Sequence, residues 1–362
     1  MRCFWRFYSF VLTGTLILFV TEAQAVVIKD LYEALVPVKT QSRQERKEAL
    51  TAGLMEVLTR VSGQTIILSE DPENPLLMAI QNPTRYTRQF RYRKARRDGS
   101  GLNIWIKYDE KAVNNLLQAN SLPVWGHTRP PSLVWMVVAE NGQRRLMSNT
   151  ENHPVKAEFK ALANKRGLPV SFPLMDLTDR GNVSISDIWG NFEERITTAS
   201  QRYNAEATIV GRLYKNTSDE WSIRWTIFHQ GQKQEVVIDN EKDLSAGIIP
   251  VIAQTAQILA QQFAMVKTEE VNENVVVKVK GVETLKRFNY IAKYLKSLSA
   301  VSAINPLVVT EQSVTFKLTT RGGRLALAQA IKLGHVLAEQ VPTNSTEVPD
   351  ANGPDLVYQL VQ

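Results

Sequence analysis

The stretch Ser121-Leu-Pro-Val-Trp-Gly-His-Thr-Arg-Pro-Pro-Ser132 divides the chain into an earlier and a later part. Proline lacks an N–H donor and restricts the residue before it, so neither a helix nor a strand continues through the stretch. The apolar run Leu133–Ala139 follows at once and predicts a buried strand. The stretch is therefore a domain boundary or a site, and Trp125, with Arg129 close by, is predicted to fix the two flanking domains together.

The composition is that of a folded protein with more than one domain. A chain of 362 residues is too long for one ordinary hydrophobic core, so two or three domains are expected. Hydrophobic residues make up 44% and charged residues 22% of the chain, which is ordinary for globular proteins.

The first 25 residues have the features of a signal peptide. Arg2 and Arg6 precede the apolar run Phe10–Val20, and a small-x-small motif ends at Ala25, so cleavage is predicted between Ala25 and Val26. A retained anchor is the alternative, but a spanning helix needs about 20 apolar residues. No later stretch is expected to approach that length, which predicts a soluble, exported protein of the periplasm.

Cysteine and charge restrict the chemistry of the mature chain. The single cysteine, Cys3, lies in the leader, which excludes a cysteine nucleophile and a thiolate metal site from the mature protein. The net charge is +7 for the full chain and +6 once Arg2, Arg6 and Glu22 of the leader are removed. This mildly basic balance favours anionic lipid headgroups, acidic polysaccharide or peptidoglycan as partners.

Residues 26–121 are predicted to form an N-terminal α+β domain. Ser42 and Glu45 have the spacing of a capping box, and Gly63 stands where a left-handed helix cap is needed. The buried stripe predicted between them consists of Leu50, Leu54, Val57, Leu58 and Val61. Its opposite face is expected to carry Arg46, Lys47, Glu56 and Arg60.

A β-hairpin with an unusual density of arginine is predicted between residues 86 and 108. Aromatic residues alternate with arginines in its first strand, which is strand periodicity with the aromatics on the inner face. The arginines have two interpretations. Either they protect a sheet edge against pairing with another strand, or they bind an anionic envelope polymer or lipid. The binding candidates are Arg91, Arg93, Arg96 and Arg97. Nucleic acid, which such a pattern can also bind, is not expected as a partner of an exported protein.

The later part of the chain is predicted to contain two further domains. The whole is an α+β protein of three small α/β sandwich-type modules in series. After the N-terminal domain the predicted segments are a proline-rich hinge at 122–132, a central α/β domain with a mixed sheet at 133–267, a linker at 268–274, a ferredoxin-like domain at 275–340 and a loose tail at 341–362.

Three predictions concern single elements of these two domains. One helix is expected over Ile188–Tyr203 and a long one from about Ala246 to Val266. The order βαββαβ in the last domain is typical of the ferredoxin-like fold. Its final strand is either Val336–Ala338 or Leu356–Leu360, the second of which lies in the tail.

No catalytic signature is present. The four histidines lack the spacing of metal ligands, and the common nucleophile, phosphate and dinucleotide motifs are missing. Asp176 and Asp179 follow a predicted strand, where crevices of α/β proteins lie, so they are the weak candidates for a catalytic pair; a solvated loop is the alternative. The sequence predicts no cofactor and no metal site.

Several motifs resemble those of a protein family. They are Leu31–Val38, Gln41-Ser42 with Arg46 and Ala49, Leu58–Gly63, Leu122–Gly126, Arg129-Pro130 and Leu133–Trp135. This pattern, which covers most of the mature chain, resembles an exported gamma-proteobacterial family catalogued as a domain of unknown function. The resemblance implies export and no particular chemistry. The central domain is also similar to the small α/β modules of periplasmic envelope proteins.

These observations together predict a non-catalytic binding or assembly factor of the cell envelope. Its expected partners are an envelope protein or an anionic envelope polymer, with peripheral membrane contact. The alternatives are a periplasmic hydrolase with a carboxylate site and a carrier of small molecules or lipids.

Overall fold

The computed structural model describes residues 26–68, 71, 73–94, 101–264, 272–298, 300–334, 336–340 and 353–361. The predicted leader, Arg96, Arg97 and most of the linker 268–274 lie outside the described residues. Helices pack with several small sheets, some antiparallel and some mixed. The predicted α+β class is confirmed.

The first part of the chain forms a three-stranded antiparallel sheet with helices. Its elements are β1 (Val26–Val27), β2 (Glu33–Val38), α1 (Arg43–Ser62), α2 (Pro75–Gln81), β3 (Thr87–Lys94), β4 (Leu102–Tyr108) and α3 (Glu110–Ala119). The strand order is β2-β4-β3, so β3 is an edge strand that pairs with β4 alone. The predicted hairpin is confirmed.

Helix α1 begins and ends where its caps predict. The Ser42 side chain accepts a hydrogen bond from the Glu45 backbone N–H at 3.2 Å, and Gly63 has a φ of 67°. The reciprocal bond of the predicted capping box is absent, because the Glu45 carboxylate accepts from the backbone and hydroxyl of Thr40 instead. The predicted stripe from Leu50 to Val61 is buried against the sheet.

The second part of the chain forms the central sheet. Its elements are β5 (Thr128–Arg129), β6 (Ser132–Glu140), β7 (Gln143–Leu146), α4 (Pro154–Arg166), β8 (Val170–Ser171), α5 (Leu177–Asn182), α6 (Ile185–Trp189), α7 (Glu193–Ser200), β9 (Ala207–Lys215), β10 (Trp221–His229), β11 (Gln232–Glu241) and α8 (Leu244–Phe263). The strand order is β11-β10-β9-β6-β7, with β8 also paired to β6 and β5 paired to β1. The sheet is mixed because β6 runs parallel to β8 and β9.

Strand β6 is covered on both faces. Val134 and Met136 point into a core with α4 and α8, whereas Leu133 and Trp135 point into a second core beside α6 and α7. A strand that is buried on both faces has a continuous apolar sequence rather than an alternating one. The run Leu133–Ala139 is therefore a buried strand, as predicted.

The helix predicted over Ile188–Tyr203 is wrong. The segment is divided into α6 and α7, because the chain turns at Gly190 and Asn191, and Asn191 has a φ of 56°. Asparagine tolerates the left-handed conformation that ends a helix.

Helix α8 is a core helix with the length and composition of a membrane span. Within the part of the chain that the structure describes, only this 20-residue helix is long and apolar enough to cross a membrane, with a mean hydropathy of 1.3. This differs from the prediction that no stretch after the leader approaches the length of a membrane span. Residues such as Val251 and Leu259 are buried against the central sheet, which accounts for the apolar composition.

The third part of the chain forms a five-stranded sheet. Its elements are β12 (Asn272–Lys280), α9 (Leu285–Ser297), β13 (Val301–Val309), β14 (Ser313–Arg321), α10 (Gly323–Gly334), β15 (Leu337–Glu339) and β16 (Leu356–Leu360). The strand order is β13-β14-β12-β16-β15.

The ferredoxin-like prediction for this sheet is not confirmed. The first three strands have the order that it requires, with β14 between β13 and β12. Both candidates for the last strand are strands, however, and β16 from the tail lies parallel to β12, with β15 displaced to the edge. The tail thus supplies a strand of the sheet.

Gly63 and Gly142 allow the packing of α1 against α8 to be tested. Both glycines have positive φ, so Gly→Ala at either site costs about 1–2 kcal/mol in backbone strain. At Gly63 an added Cβ would lie 2.4 Å from the Ala260 Cβ and 2.9 Å from the Trp125 ring, whereas Gly142 has open space around it.

We expect Gly63→Ala to lower the free energy of unfolding by roughly 1–3 kcal/mol more than Gly142→Ala, because of overpacking. Chemical denaturation measures both values. Equal losses in the two variants would contradict a close contact between α1, Trp125 and α8.

Candidate functional site

Trp125 and Arg129 lie where the proline-rich stretch passes between the ends of α1 and α4. Trp125 is 1% exposed and Arg129 is fully buried. The Arg129 guanidinium carbon lies 4.1 Å from the centre of the Trp125 ring, and the Trp125 backbone N–H donates to the Val61 carbonyl at 2.7 Å. The structure brings the two predicted interface residues into contact with each other.

The partners of the Arg129 cation are backbone carbonyls. Nη1 donates to Gly167 at 2.8 Å, Nη2 to Arg60 at 2.8 Å and to Trp125 at 2.9 Å, and Nε to Gly126 at 3.1 Å. The first two carbonyls stand at the C-terminal ends of α4 and α1, where the helix dipole is negative and carbonyls lack intrahelical partners. Burial lowers the pKa of Arg129 to about 9, which leaves it charged at neutral pH.

Arg60 is a second buried arginine at the same contact, and its predicted place on the outward face of α1 is wrong. It is 6% exposed. Nε donates to the Lys165 carbonyl at 2.7 Å, Nη1 donates to the Glu33 carbonyl at 2.6 Å, and Nη2 pairs with the Glu56 carboxylate. The outward face of α1 is covered by the end of α4 at this point, which helical periodicity cannot indicate.

A crevice of about 910 Å³ lies beside the proline-rich stretch, between α3 and the third sheet with its helices. His127 lines it, with Nδ1 2.7 Å from the Ile28 carbonyl and Nε2 3.7 Å from the Glu110 carboxylate. Tyr290 and Tyr294 line it from the side of α9. The nearby Glu110 carboxylate, supported by the Ile28 carbonyl, raises the pKa of His127, and partial burial opposes this shift.

Asp176 and Asp179 are brought together by Arg202. Asp179 is fully buried and accepts from the Met175 backbone N–H at 2.8 Å, the Tyr203 hydroxyl at 2.5 Å and Arg202 Nη1 at 3.0 Å. Asp176 caps α5 and forms a two-point pair with Arg202 at 2.7 and 2.9 Å. That pair lowers the pKa of Asp176 to about 2, which disfavours general acid or base catalysis near neutral pH.

Arg91 and Arg93 lie on the outer face of the first sheet, on β3, beside Trp105 of the adjacent strand β4. Their guanidinium carbons are 5.8 and 4.9 Å from the centre of the indole ring. The other face of this sheet is covered by α1. The remaining binding candidates, Arg96 and Arg97, lie outside the described residues.

The surroundings of Trp105 hold it in place. Its indole N–H donates to the Glu33 carboxylate at 2.9 Å, and Lys107 pairs with the same carboxylate at 3.1 Å. Because stacking on an aromatic face uses the plane of a guanidinium and not its N–H edge, Arg93 can present donors to an anion. The Nε and Nη2 groups of Arg91 donate to the Gln89 side-chain oxygen at 2.7 and 2.6 Å. Within the described residues, no three His, Cys, Asp or Glu side chains are close enough to hold a metal ion.

Replacement of Trp125 tests whether it holds the domains together. Trp125→Ala is expected to lower the free energy of unfolding by about 3–5 kcal/mol, because a buried tryptophan leaves a large cavity, and to increase proteolytic cleavage within 121–132. Trp125→Phe keeps a ring under Arg129 and removes an indole N–H that has no partner among the described residues. The free energy of unfolding should therefore fall less in this variant than in Trp125→Ala. Unchanged melting and proteolysis in the alanine variant would refute this role.

The pair of His127 and Glu110 makes stability depend on pH. Because the folded pKa of His127 is raised, the stabilisation is complete below the ordinary value near 6.5 and is lost as the pH rises through the folded pKa. We expect Glu110→Gln to lower the pKa of His127 in an NMR titration and to cost about 0.5 kcal/mol at low pH only. Glu140→Gln, which removes the carboxylate beside His153, is the control. An unchanged His127 titration in Glu110→Gln would contradict the pairing.

Comparisons with known proteins add one family match. A family model described as Domain of unknown function (DUF8605) matches residues 25–126, a narrower segment than the resemblance predicted from the sequence. No curated protein matches the chain. A formyltetrahydrofolate deformylase from Pseudomonas putida KT2440 is a weak structural match, with 11% identity, a TM-score of 0.12, and coverage of 49% of this chain and 83% of that one. Similarity this low carries no argument about fold or activity.

Proposed function

We propose that the protein is an exported, non-catalytic binding or assembly factor of the cell envelope, and that the outer face of its first sheet contacts an anionic envelope ligand. The leader-like residues 1–25 and the resemblance to an exported gamma-proteobacterial family support a periplasmic location. Cleavage between Ala25 and Val26 would place the start of the mature chain at β1.

The observation that carries this proposal is the arrangement of Arg91 and Arg93 around Trp105. Two arginines beside an aromatic ring, on the outer face of the sheet, offer cationic donors together with an apolar surface. Phosphate and carboxylate groups match the planar fork of arginine donors, and tryptophan favours the boundary between lipid and water. An anionic membrane surface or wall polymer provides groups of this kind.

The edge position of β3 adds to the argument. A strand with one unpaired side invites pairing with another chain unless charged side chains oppose it. The exposed Arg88 and Lys94 on this strand serve that purpose as well as binding, so the protective interpretation and the ligand interpretation are compatible.

The two alternatives differ in their support. The hydrolase alternative is weakened because Asp176 and Asp179 are engaged in helix capping and in the pair with Arg202. The carrier alternative is favoured by the crevice of about 910 Å³ beside His127, whose size is within the range of small-molecule sites.

Co-sedimentation with vesicles and with isolated peptidoglycan sacculi tests the proposed binding face. The double variant Arg91→Gln/Arg93→Gln should bind vesicles of phosphatidylglycerol, or sacculi, roughly 10- to 30-fold more weakly than the native protein. The reason is that each basic residue near an anionic surface contributes about 1 kcal/mol. A higher salt concentration should also weaken the binding of the native protein to the vesicles or sacculi, because salt screens the charges.

A matched control exists on β7. Arg144 and Arg145 are exposed neighbours, and the Arg144 guanidinium carbon lies 4.1 Å from the centre of the Trp189 ring. Arg144→Gln/Arg145→Gln removes the same charge from a different sheet and should retain native binding. Equal retention of the native protein and the Arg91/Arg93 variant on both vesicles and sacculi would refute the proposed face.

A further inference from the structure

A second basic surface lies on the first part of the chain, in a groove of about 790 Å³ between α1 and the segment that joins α2 to β3. Arg43, Arg46 and Lys47 line it from the first turns of α1, and Arg85 lines it from the opposite wall. Positions three and four residues apart share one helix face, so the three α1 cations point to the same side. The groove therefore gathers four positive charges from two elements that are distant in sequence.

Acidic groups do not neutralise these cations. Among the described residues, no carboxylate lines the groove and none of the four cations belongs to an ion pair. The two neighbouring carboxylates on α1 do not line the groove: Glu45 accepts from Thr40, and Glu48 accepts from the Gln44 amide at 2.7 Å. Like charges held close together repel, and an anion in the groove relieves that repulsion.

The walls of the groove are connected to each other. The Thr51 hydroxyl donates to the Ile80 carbonyl at 3.1 Å and joins α1 to the end of α2. The Thr87 hydroxyl donates to the Pro83 carbonyl at 3.0 Å and closes the turn that carries Arg85. The two walls are thus held in position relative to each other, which lowers the part of the entropy cost of binding that comes from ordering the backbone.

Arg46 also contacts an aromatic ring. Its guanidinium carbon lies 5.7 Å from the centre of the Phe90 ring, and stacking of this kind leaves the N–H edge available to a ligand. Asn82 and Thr84 add an amide and a hydroxyl to the wall. Guanidinium groups together with neutral donors match the several oxygens of a phosphate group.

We propose that this groove binds a ligand with two or more closely spaced phosphate groups, either free or as part of a lipid headgroup. Four cations exceed what one monoanion needs, and clustered phosphates carry a matching density of charge. The positive end of the α1 dipole adds to the field at the same place. The proposed function uses the opposite face of the sheet. The two proposals can therefore be tested independently, and failure of one does not contradict the other.

Calorimetric titration of the mature protein with inorganic pyrophosphate tests the free form of the ligand. The variant Arg43→Gln/Arg85→Gln removes one exposed cation from each wall without touching the core, and it should bind pyrophosphate at least 10-fold more weakly. Arg144→Gln/Arg145→Gln and Arg91→Gln/Arg93→Gln should retain the native affinity. Thermal melting of each variant verifies that it is folded.

Vesicles test the headgroup form of the ligand. Co-sedimentation compares vesicles that contain cardiolipin, which has two phosphates, with phosphatidylglycerol vesicles of equal total charge. A preference for cardiolipin that is lost in Arg43→Gln/Arg85→Gln, without pyrophosphate binding, assigns the site to a headgroup; pyrophosphate binding that is lost in this variant assigns it to a free phosphate compound.

Two outcomes overturn the proposal. One is the absence of both pyrophosphate binding and a cardiolipin preference, and the other is full retention of either one by Arg43→Gln/Arg85→Gln. Loss of vesicle or sacculus binding only in Arg91→Gln/Arg93→Gln, together with full retention of pyrophosphate binding in Arg43→Gln/Arg85→Gln, would leave the proposed function intact and refute the groove. The reverse pattern would refute the sheet face and support the groove.

Discussion

The arrangement of the first two sheets depends on a buried cation, Arg129. The transfer of a guanidinium into a protein interior costs several kcal/mol unless its donors are satisfied. Here backbone carbonyls at the ends of α1 and α4 accept from it, and the Trp125 ring covers its face. If this group were removed, carbonyls at two buried helix ends would lose their partner, which is why one side chain can join the first and second parts of the chain.

The proline-rich stretch is consequently a connector with fixed geometry. Its prolines prevent a continuous helix or strand, while its tryptophan and arginine are buried between the flanking helices. Arg60 on α1 is a second buried arginine of this kind, because it donates to carbonyls in both the first and the second part of the chain. The short pairing of β1 with β5 then places His127 at the mouth of the crevice, opposite α9.

The cations of the proposed binding surfaces differ from the structural cations in their partners and in their exposure to solvent. Arg60, Arg129 and Arg202 have their donors occupied by carbonyls or carboxylates, and they stabilise contacts between elements. The cations of the sheet face and the groove are exposed or half-buried and rest on aromatic rings or on helix turns. Both surfaces lie within residues 25–126, the segment that the family model matches.

The sequence by itself determined the α+β class, the capped helix α1, the arginine-rich hairpin and the buried strand β6, because each depends on local periodicity or on capping residues close in the chain. The identities of Trp125 and Arg129 as contact residues also followed from their place in a break of regular structure. Only the tertiary structure decided that Arg60 is buried, that β16 enters the third sheet beside β12, and that Arg85 faces Arg43 across a groove. These features arise where segments distant in sequence meet, and the pattern along one segment contains no information about which other segment will cover it.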